Sequence, residues 1–215
     1  MRIAIDIDDC ITNTSEVEFE LCYKYNKQLY PEDTKNYINN HYNKPTIFGF
    51  TKQQEDEFYV QAMELFIEQD LIKPKVFSKK IIDQLLSDGH EIILLTGRSD
   101  FYWGTATLYT KQWLEKYNIH YTKLVTAMTN KGEFCKNNNV DVLIDDSLKY
   151  IKQCNDLNVN TITFNNNYSK KYDSPELQNY SHPLNIYSSC WFEVYDRVQE
   201  VEAMIKNMFL QQKQA

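Results

Sequence analysis

Long apolar runs are the first thing this chain lacks. Its purely hydrophobic stretches extend only a few residues, as in Ile92-Ile93-Leu94-Leu95, against the roughly 20 a membrane-spanning helix requires. Asp6, Asp8 and Asp9 interrupt any apolar core of a secretion signal at the start, so a cytoplasmic protein with no membrane partner is expected. An excess of positive charge is also missing: 30 Asp and Glu face 23 Lys and Arg, a net charge of -7. A nucleic-acid polymer needs clustered positive charge and is excluded as a general partner. A single nucleotide, or another small phosphorylated molecule held in a local site, remains. The five cysteines (Cys10, Cys22, Cys135, Cys154, Cys190) are scattered and odd in number. They show neither CxxC pairs nor zinc spacing and read as reduced, mostly buried thiols. Glycine and proline number five each, and no linker or repeat is visible.

What is present is a packed composition and a rhythm. Hydrophobic residues make up 42% of the 215, with 16 Tyr and 11 Phe, enough for one domain carrying a sizeable insertion. Arg2 to Ile7 reads as an apolar strand ending in carboxylates. Glu16 to Gln28 has helical spacing of Val17, Leu21 and Tyr25. Turn signals follow, and Thr51 then looks like the N-cap of a helix through Glu68, with Phe58, Ala62, Leu65 and Phe66 on one face. From Lys75 the pattern becomes regular. Helices are expected over Ser78–Ser87 (Ser78 as cap), Thr105–Tyr117, Lys131–Asn138 and Ser147–Asp156. Strands are expected over Glu91–Leu95, Tyr121–Thr126, Val140–Ile144 and Asn160–Phe164. Asn165 to His182 reads as polar and irregular, and Trp191 to Phe209 as a final amphipathic helix. Such alternation implies an α/β fold with a parallel sheet and right-handed crossovers, interrupted from about 14 to 75 by a mostly helical insertion.

In open α/β sheets a ligand sits beyond the carboxyl ends of the strands. The first strand ends in Asp6, Asp8 and Asp9, the second in Thr96-Gly97-Arg98. Lys131 follows the third, and the fourth ends in Asp145-Asp146. Clustered carboxylates raise each other's pKa, and a hard dication such as Mg²⁺ relieves that repulsion, commonly taking one or two carboxylates plus a phosphate. A threonine hydroxyl, backbone amides and a lysine suit the remaining phosphate oxygens. An ionised Asp can then attack phosphorus, while a second Asp two residues on exchanges the proton.

Asp6-Ile7-Asp8, Thr96 after Ile93-Leu94-Leu95, Lys131, and Leu143-Ile144-Asp145-Asp146 resemble, in order, the four motifs of the haloacid dehalogenase (HAD) superfamily. That resemblance spans residues 1 to about 165 apart from the insertion. It implies a parallel-sheet, Rossmann-like core (1–13 and 76–215) with a small helical type-1 cap (14–75) after the first strand. It also implies Asp6 as nucleophile, Asp8 as general acid/base giving its backbone carbonyl to Mg²⁺, and Thr96 and Lys131 as phosphate holders. Asp145 and Asp146 match the metal-binding motif, with Asp146 favoured as direct ligand. Asp9 stands where many relatives carry Gly and is either a turn residue or part of the metal site. Thr12 and Thr14 cap or brace that turn, or bring their backbone to the phosphate. Arg98 is expected on substrate phosphate or paired with a surface carboxylate.

Cap aromatics suggest the substrate. Phe58 and Phe66 lie at helical spacing and read as core. Tyr42, Phe48 and Phe50 occupy the irregular part and are expected to face a substrate, where stacking on a nucleobase contributes roughly 1–3 kcal/mol. The Ile-Asp-Asp-Ser and Asp-Ile-Asp motifs look similar to the 5'(3')-deoxyribonucleotidase family and its bacterial relatives, which implies Mg²⁺-dependent hydrolysis of a nucleoside monophosphate. Asp9-Cys10 and Thr-Gly-Arg depart from that family's commoner residues. A HAD phosphatase of a sugar phosphate is the alternative, with a catalytically silent HAD scaffold as the non-enzyme reading. A two-component receiver domain fits less well, because its acidic pair precedes the other motifs. The C-terminal helix is expected either to pack on the sheet or to form a homodimer contact.

Overall fold

The computed structural model describes residues 1–39, 44–68, 70–100, 104–164 and 180–212. Six strands form one sheet: β1 (Arg2–Ile5), β2 (Glu91–Leu95), β3 (Lys123–Val125), β4 (Val142–Asp145), β5 (Asn160–Phe164) and β6 (Asn185–Ser188). Their order is β3-β2-β1-β4-β5-β6, and every neighbouring pair is parallel, with Ile5 opposite both Leu94 and Ile144. A parallel strand covered on both faces reads as a continuous apolar run, which is why Ile3-Ala4-Ile5 and Ile92-Ile93-Leu94-Leu95 carry no polar alternation. Successive side chains still enter opposite layers. Ile3, Ile5, Ile92, Leu94, Val142 and Ile144 pack in one core with Ile82, Leu85 and Val198. Ala4, Ile93, Leu95 and Leu143 pack in the other with Cys135, Val140, Cys154 and Val159.

The helices that follow β1 directly are α1 (Thr14–Leu29), α2 (Lys44–Phe48) and α3 (Lys52–Glu68). The chain leaves and returns side by side, through an antiparallel bridge between Thr12 and Pro74 and a 2.7 Å bond from Lys75 N–H to the Ile11 carbonyl. Thr51 caps α3 as expected. Its Oγ1 accepts from Gln54 N–H at 3.3 Å and its own N–H donates to Gln54 Oε1 at 2.9 Å, a capping box that satisfies two end donors reciprocally. Phe58 and Ala62 are buried as the spacing predicts. The side chains of Leu65 and Phe66 lie outside the described residues.

Further cover for the sheet comes, among the described residues, from α4 (Ser78–Ser87), α5 (Ala106–Lys116), α6 (Lys131–Asn137), α7 (Leu148–Asp156) and the C-terminal helix. Some boundaries differ from the sequence reading. Phe77, at φ 68, precedes α4. Ser78 is the helix's first residue, and its hydroxyl donates to the Lys75 carbonyl at 2.8 Å rather than capping α4. Neither α2 nor β6 was legible, each being only a few residues of mixed polarity. Of the segment 165–182, read as irregular, residues 165–179 lie outside the described residues.

The last helix, α8 (Trp191–Gln212), packs against α4, β5 and β6, so the sheet-packing alternative describes its place. Trp191, Val194, Val198 and Val201 are buried, and Trp191 Nε1–H donates to the Cys10 carbonyl at 2.8 Å, pinning the loop after β1. Among the described residues no helix is long and apolar enough to cross a membrane.

Candidate active site

β1 and β4 are adjacent at the point where the strand order reverses, which opens a crevice at their carboxyl ends. The Asp6 N–H extends the ladder to the Ile144 carbonyl at 2.9 Å, fixing the Asp6 backbone beside Asp145. A cavity of about 320 Å³ opens there, its lining including Asp6, Asp8, Gly97, Lys131, Asp145 and Asp146.

Lys131 is the hub. It is 1% exposed, and its Nζ lies 2.5 Å from Asp6 Oδ1 and 2.7 Å from Asp145 Oδ2. It also sits 4.5 Å from the Tyr150 ring centroid. Burial alone would discharge this ammonium, but Asp145 and Asp6 hold its pKa well above the ordinary lysine value. Asn130 caps the helix that carries it, accepting from Glu133 N–H at 3.1 Å. Gly132 lets α6 meet α7, since a Cβ there would lie 2.4 Å from the Gln153 carbonyl oxygen.

Asp145 is committed to Lys131 and to Ser147 N–H, at 2.8 Å. Asp146 lies nearer Asp6: oxygens of both, with Cys10 Sγ, fall within 4.8 Å of one another. Burial, opposed by Lys131 and reinforced by Asp145 and Asp8, pushes Asp6 up to about 8. Burial together with Asp9, Asp145 and Asp6 pushes Asp146 well above the carboxylate range. Two neighbouring carboxylates driven toward protonation by desolvation and by the acidic groups around them fit a hard dication such as Mg²⁺. Cys10 is a thiol with a strongly raised pKa, a poor partner for such an ion. The sequence reading did not place it here.

Asp8 is held by a different set. Arg98 Nε lies 3.1 and 3.0 Å from its two oxygens and Nη2 2.7 Å from Oδ1. Thr14 donates to Oδ1 at 2.7 Å and Thr96 to Oδ2 at 3.3 Å. Burial raises the Asp8 pKa, but Arg98 and Thr14 outweigh it and hold the carboxyl below its ordinary value. Arg98 is 4% exposed, with Nη1 on Thr110 Oγ1 at 3.1 Å. The partner of Arg98 within the folded chain is therefore Asp8, a half-buried member of the first motif rather than a surface residue, and Arg98 also lines the cavity.

Asp9 takes φ 59, a left-handed conformation that Asp tolerates better than most residues. Its carboxylate accepts from both the backbone N–H and the hydroxyl of Ser15, which favours the turn reading: it ties the loop to the start of α1. Thr12 braces the same loop, bonding the Ile7 carbonyl at 3.1 Å and Thr14 at 2.7 Å.

The cap aromatics need a correction. Phe48 is 7% exposed and packs against Phe19, Tyr37 and Phe50 at centroid distances of 5.5, 4.4 and 5.6 Å. Phe50 lies against Tyr25 and Phe58 as well. Neither lines the site cavity, because α1, α2 and α3 close on one another by burying these rings between them. Tyr42 lies outside the described residues. The helical segment instead reaches the cavity through Thr14, Ser15 and Glu18 of α1 and Tyr59 of α3. Tyr59 donates to Glu18 Oε1 at 2.8 Å. Sequence reasoning missed both, although Thr14 and Glu18 are one helical turn apart directly after the Asp6-Ile7-Asp8 motif.

No protein-family model and no curated protein matches the chain. Solved structures do. A protein assigned as a phosphatase from Clostridium difficile is 16% identical, with a TM-score of 0.64 over 91% of this chain and 96% of its own. One assigned as a β-phosphoglucomutase from Thermotoga maritima is 14% identical, with a TM-score of 0.64 over 93% and 99%. A haloacid dehalogenase-like hydrolase from Streptococcus pneumoniae is 13% identical, at 0.59 over 92% and 97%. The chain shares with these the parallel, Rossmann-like α/β fold expected of it.

Proposed function

We propose that this chain is a HAD-superfamily phosphomonoesterase acting through an aspartyl-phosphate, on a small phosphorylated substrate rather than a nucleic-acid polymer or a membrane. One observation carries the reading: Lys131 bridges Asp6 and Asp145 across the ends of β1 and β4, with Asp146 alongside. Asp6, Asp8, Lys131, Asp145 and Asp146 line one cavity and Thr96 lies behind it on Asp8, an arrangement that supports a working site over a silent scaffold. The helical segment within 14–75 is the cap, and 1–13 with 76–215 the core.

Asp6 and Asp146, with the Asp8 backbone carbonyl, would hold Mg²⁺. Once bound, the ion neutralises phosphoryl charge and suppresses protonation of the nucleophile. Asp6 attacks phosphorus, the ester P–O bond breaks, and the proton carried by the monoanionic phosphate ester passes through Asp8 to the leaving oxygen. Water then attacks the aspartyl-phosphate, its proton passes to the Asp8 carboxylate, and the bond to Asp6 breaks. Lys131 balances the charge on Asp6 and the phosphoryl oxygens and the Gly97 backbone borders the phosphate, while the Thr96 hydroxyl, bonded to Asp8, braces the acid/base. Arg98 favours ionised Asp8 at rest, the form needed to accept the proton of water.

The motif resemblance favours a nucleoside monophosphate. A second reading, a sugar phosphate or similar small phosphometabolite, is favoured by the absence of Phe48 and Phe50 from the cavity wall and by the polar Glu18 and Tyr59 in their place. Phosphate release with Mg²⁺ from nucleoside monophosphates, sugar phosphates and p-nitrophenyl phosphate tests both. Turnover is expected in the wild type, with loss of at least about a thousandfold in Asp6→Asn. Folded wild-type protein inert on every monoester would overturn the reading.

A further inference from the structure

Glu18 and Tyr59 stand on the same cavity as Asp6 and Lys131, yet the phosphoryl chemistry uses neither. They come from different helices, α1 and α3, and meet only through the 2.8 Å bond from Tyr59 Oη–H to Glu18 Oε1. That bond consumes the only donor of the pair. The phenol oxygen keeps acceptor capacity, and so does the rest of the carboxylate. Among the described residues Glu18 forms no ion pair, although burial and the nearby Asp9 and Asp8 raise its pKa to about 7 against the opposing effects of Tyr59 and Lys44. A cavity-facing carboxylate in this condition carries a desolvation cost that Tyr59 and Lys44 offset only in part. A ligand that donates to it offsets that cost.

The phosphate end of a substrate must lie at Asp6 and Lys131, on the sheet side. The opposite wall, contributed by the helical segment, therefore faces the group esterified to phosphate. With Glu18 ionised, the wall that Glu18 and Tyr59 present among the described residues offers acceptors and does not select a flat apolar ring. It selects hydrogen-bond donors.

We propose that Glu18 and Tyr59 form the leaving-group subsite of this enzyme, and that it takes a leaving group bearing hydroxyl or ammonium donors. The subsite rests on the phosphomonoesterase reading and adds the substrate class to it. Hydroxyls of a polyol or sugar and the ammonium of an amino alcohol share the required chemistry. Tyr59 holds the Glu18 carboxylate in place, and the pair leaves a leaving group without donors facing acceptors it cannot satisfy.

The test uses the full chain with Mg²⁺ and four substrate arms. Glycerol 3-phosphate and glucose 6-phosphate supply hydroxyls, phosphoethanolamine an ammonium, AMP and dAMP a nucleoside, and p-nitrophenyl phosphate a leaving group without donors. The readout is the ratio of kcat/KM for each arm to that for p-nitrophenyl phosphate. Glu18→Gln replaces acceptor capacity by an N–H₂ donor, and Tyr59→Phe removes the hydroxyl while keeping the ring. In both variants the ratio for the hydroxyl or the ammonium arm is expected to fall by about tenfold or more, chiefly through KM. The arm that responds identifies the source of the donors. A ratio changed by less than about threefold in both variants overturns the subsite. So does a wild type that prefers nucleotides with a preference indifferent to Glu18 and Tyr59. Folded wild type that hydrolyses none of the four, p-nitrophenyl phosphate included, overturns the phosphomonoesterase reading and the subsite with it. Turnover of p-nitrophenyl phosphate without the selectivity change overturns the subsite alone.

Discussion

Asp8 and Glu18 are carboxylates on one cavity, and their neighbours drive them in opposite directions. Asp8 meets a buried guanidinium and ends below the ordinary Asp value despite its burial. Glu18 meets a phenol and is raised to about 7, since burial outweighs the Tyr59 bond and Lys44. The sign of the consequence follows. A carboxyl whose folded pKa lies above its ordinary value of 4.5 binds its proton more tightly when folded. Ionising it therefore costs stability, with no penalty below the ordinary value, a growing one up to about 7 and the full penalty above. Glu18→Gln is expected to stabilise the protein by roughly 1–3 kcal/mol at pH 8 and by little at pH 4.5, measured by urea unfolding at the two values. An increment independent of pH would contradict the assignment. Stability gained by removing a group that binds substrate is the usual trade at such positions.

At the scale of elements, the contact between α6 and α7 decides where Lys131 stands. The Gly132 Cα faces Gln153 so closely that an added Cβ would lie 2.4 Å from its carbonyl oxygen and 2.6 Å from its carbonyl carbon. Those are backbone atoms and cannot swing aside. Gly132→Ala is expected to lower stability by about 1–3 kcal/mol. It should also displace α6, so that phosphate release falls more than the stability loss explains. Thermal melts alongside initial rates check this, and unchanged activity would mean that α6 tolerates displacement. Thr51 was readable as the cap of α3 because its partner Gln54 is local. The packing of α8, through Trp191 onto the Cys10 carbonyl, was not, because its partner lies 181 positions away.

At the scale of the molecule, one reversal of strand order collects negative charge. Asp6, Asp145 and Asp146 converge where β1 meets β4, in a chain already at net charge -7. Lys131 pairs with two of them, and its weaker effect on Asp146 is outweighed by burial and like charges. A dication that binds the folded state alone stabilises it by about 2.7 kcal/mol at a hundred times its Kd. Mg²⁺ is therefore expected to raise the Tm of the wild type. Asp146→Asn should melt higher than wild type in EDTA, because one buried repulsion is gone, and should lose most of the Mg²⁺ increment. Equal increments in the two proteins would remove Asp146 from the metal site.

The sequence by itself determined the fold class and the site's raw materials. Apolar runs that stop at Asp6, Thr96 and Asp145 mark strand ends, and in a parallel α/β sheet strand ends share one edge. Position along the chain is then enough to bring Asp6, Thr96, Lys131, Asp145 and Asp146 together. Only the tertiary structure decided which side chains pair and which rings face the cavity. Asp8 and Arg98 are 90 residues apart, and no local pattern distinguishes that partner from a phosphate. Phe48 and Phe50 look available in a segment without clear periodicity, yet become core once α1, α2 and α3 close on each other, while Glu18 and Tyr59 turn to the site. Periodicity records how often a side chain is buried. The packing of whole helices fixes what it is buried against.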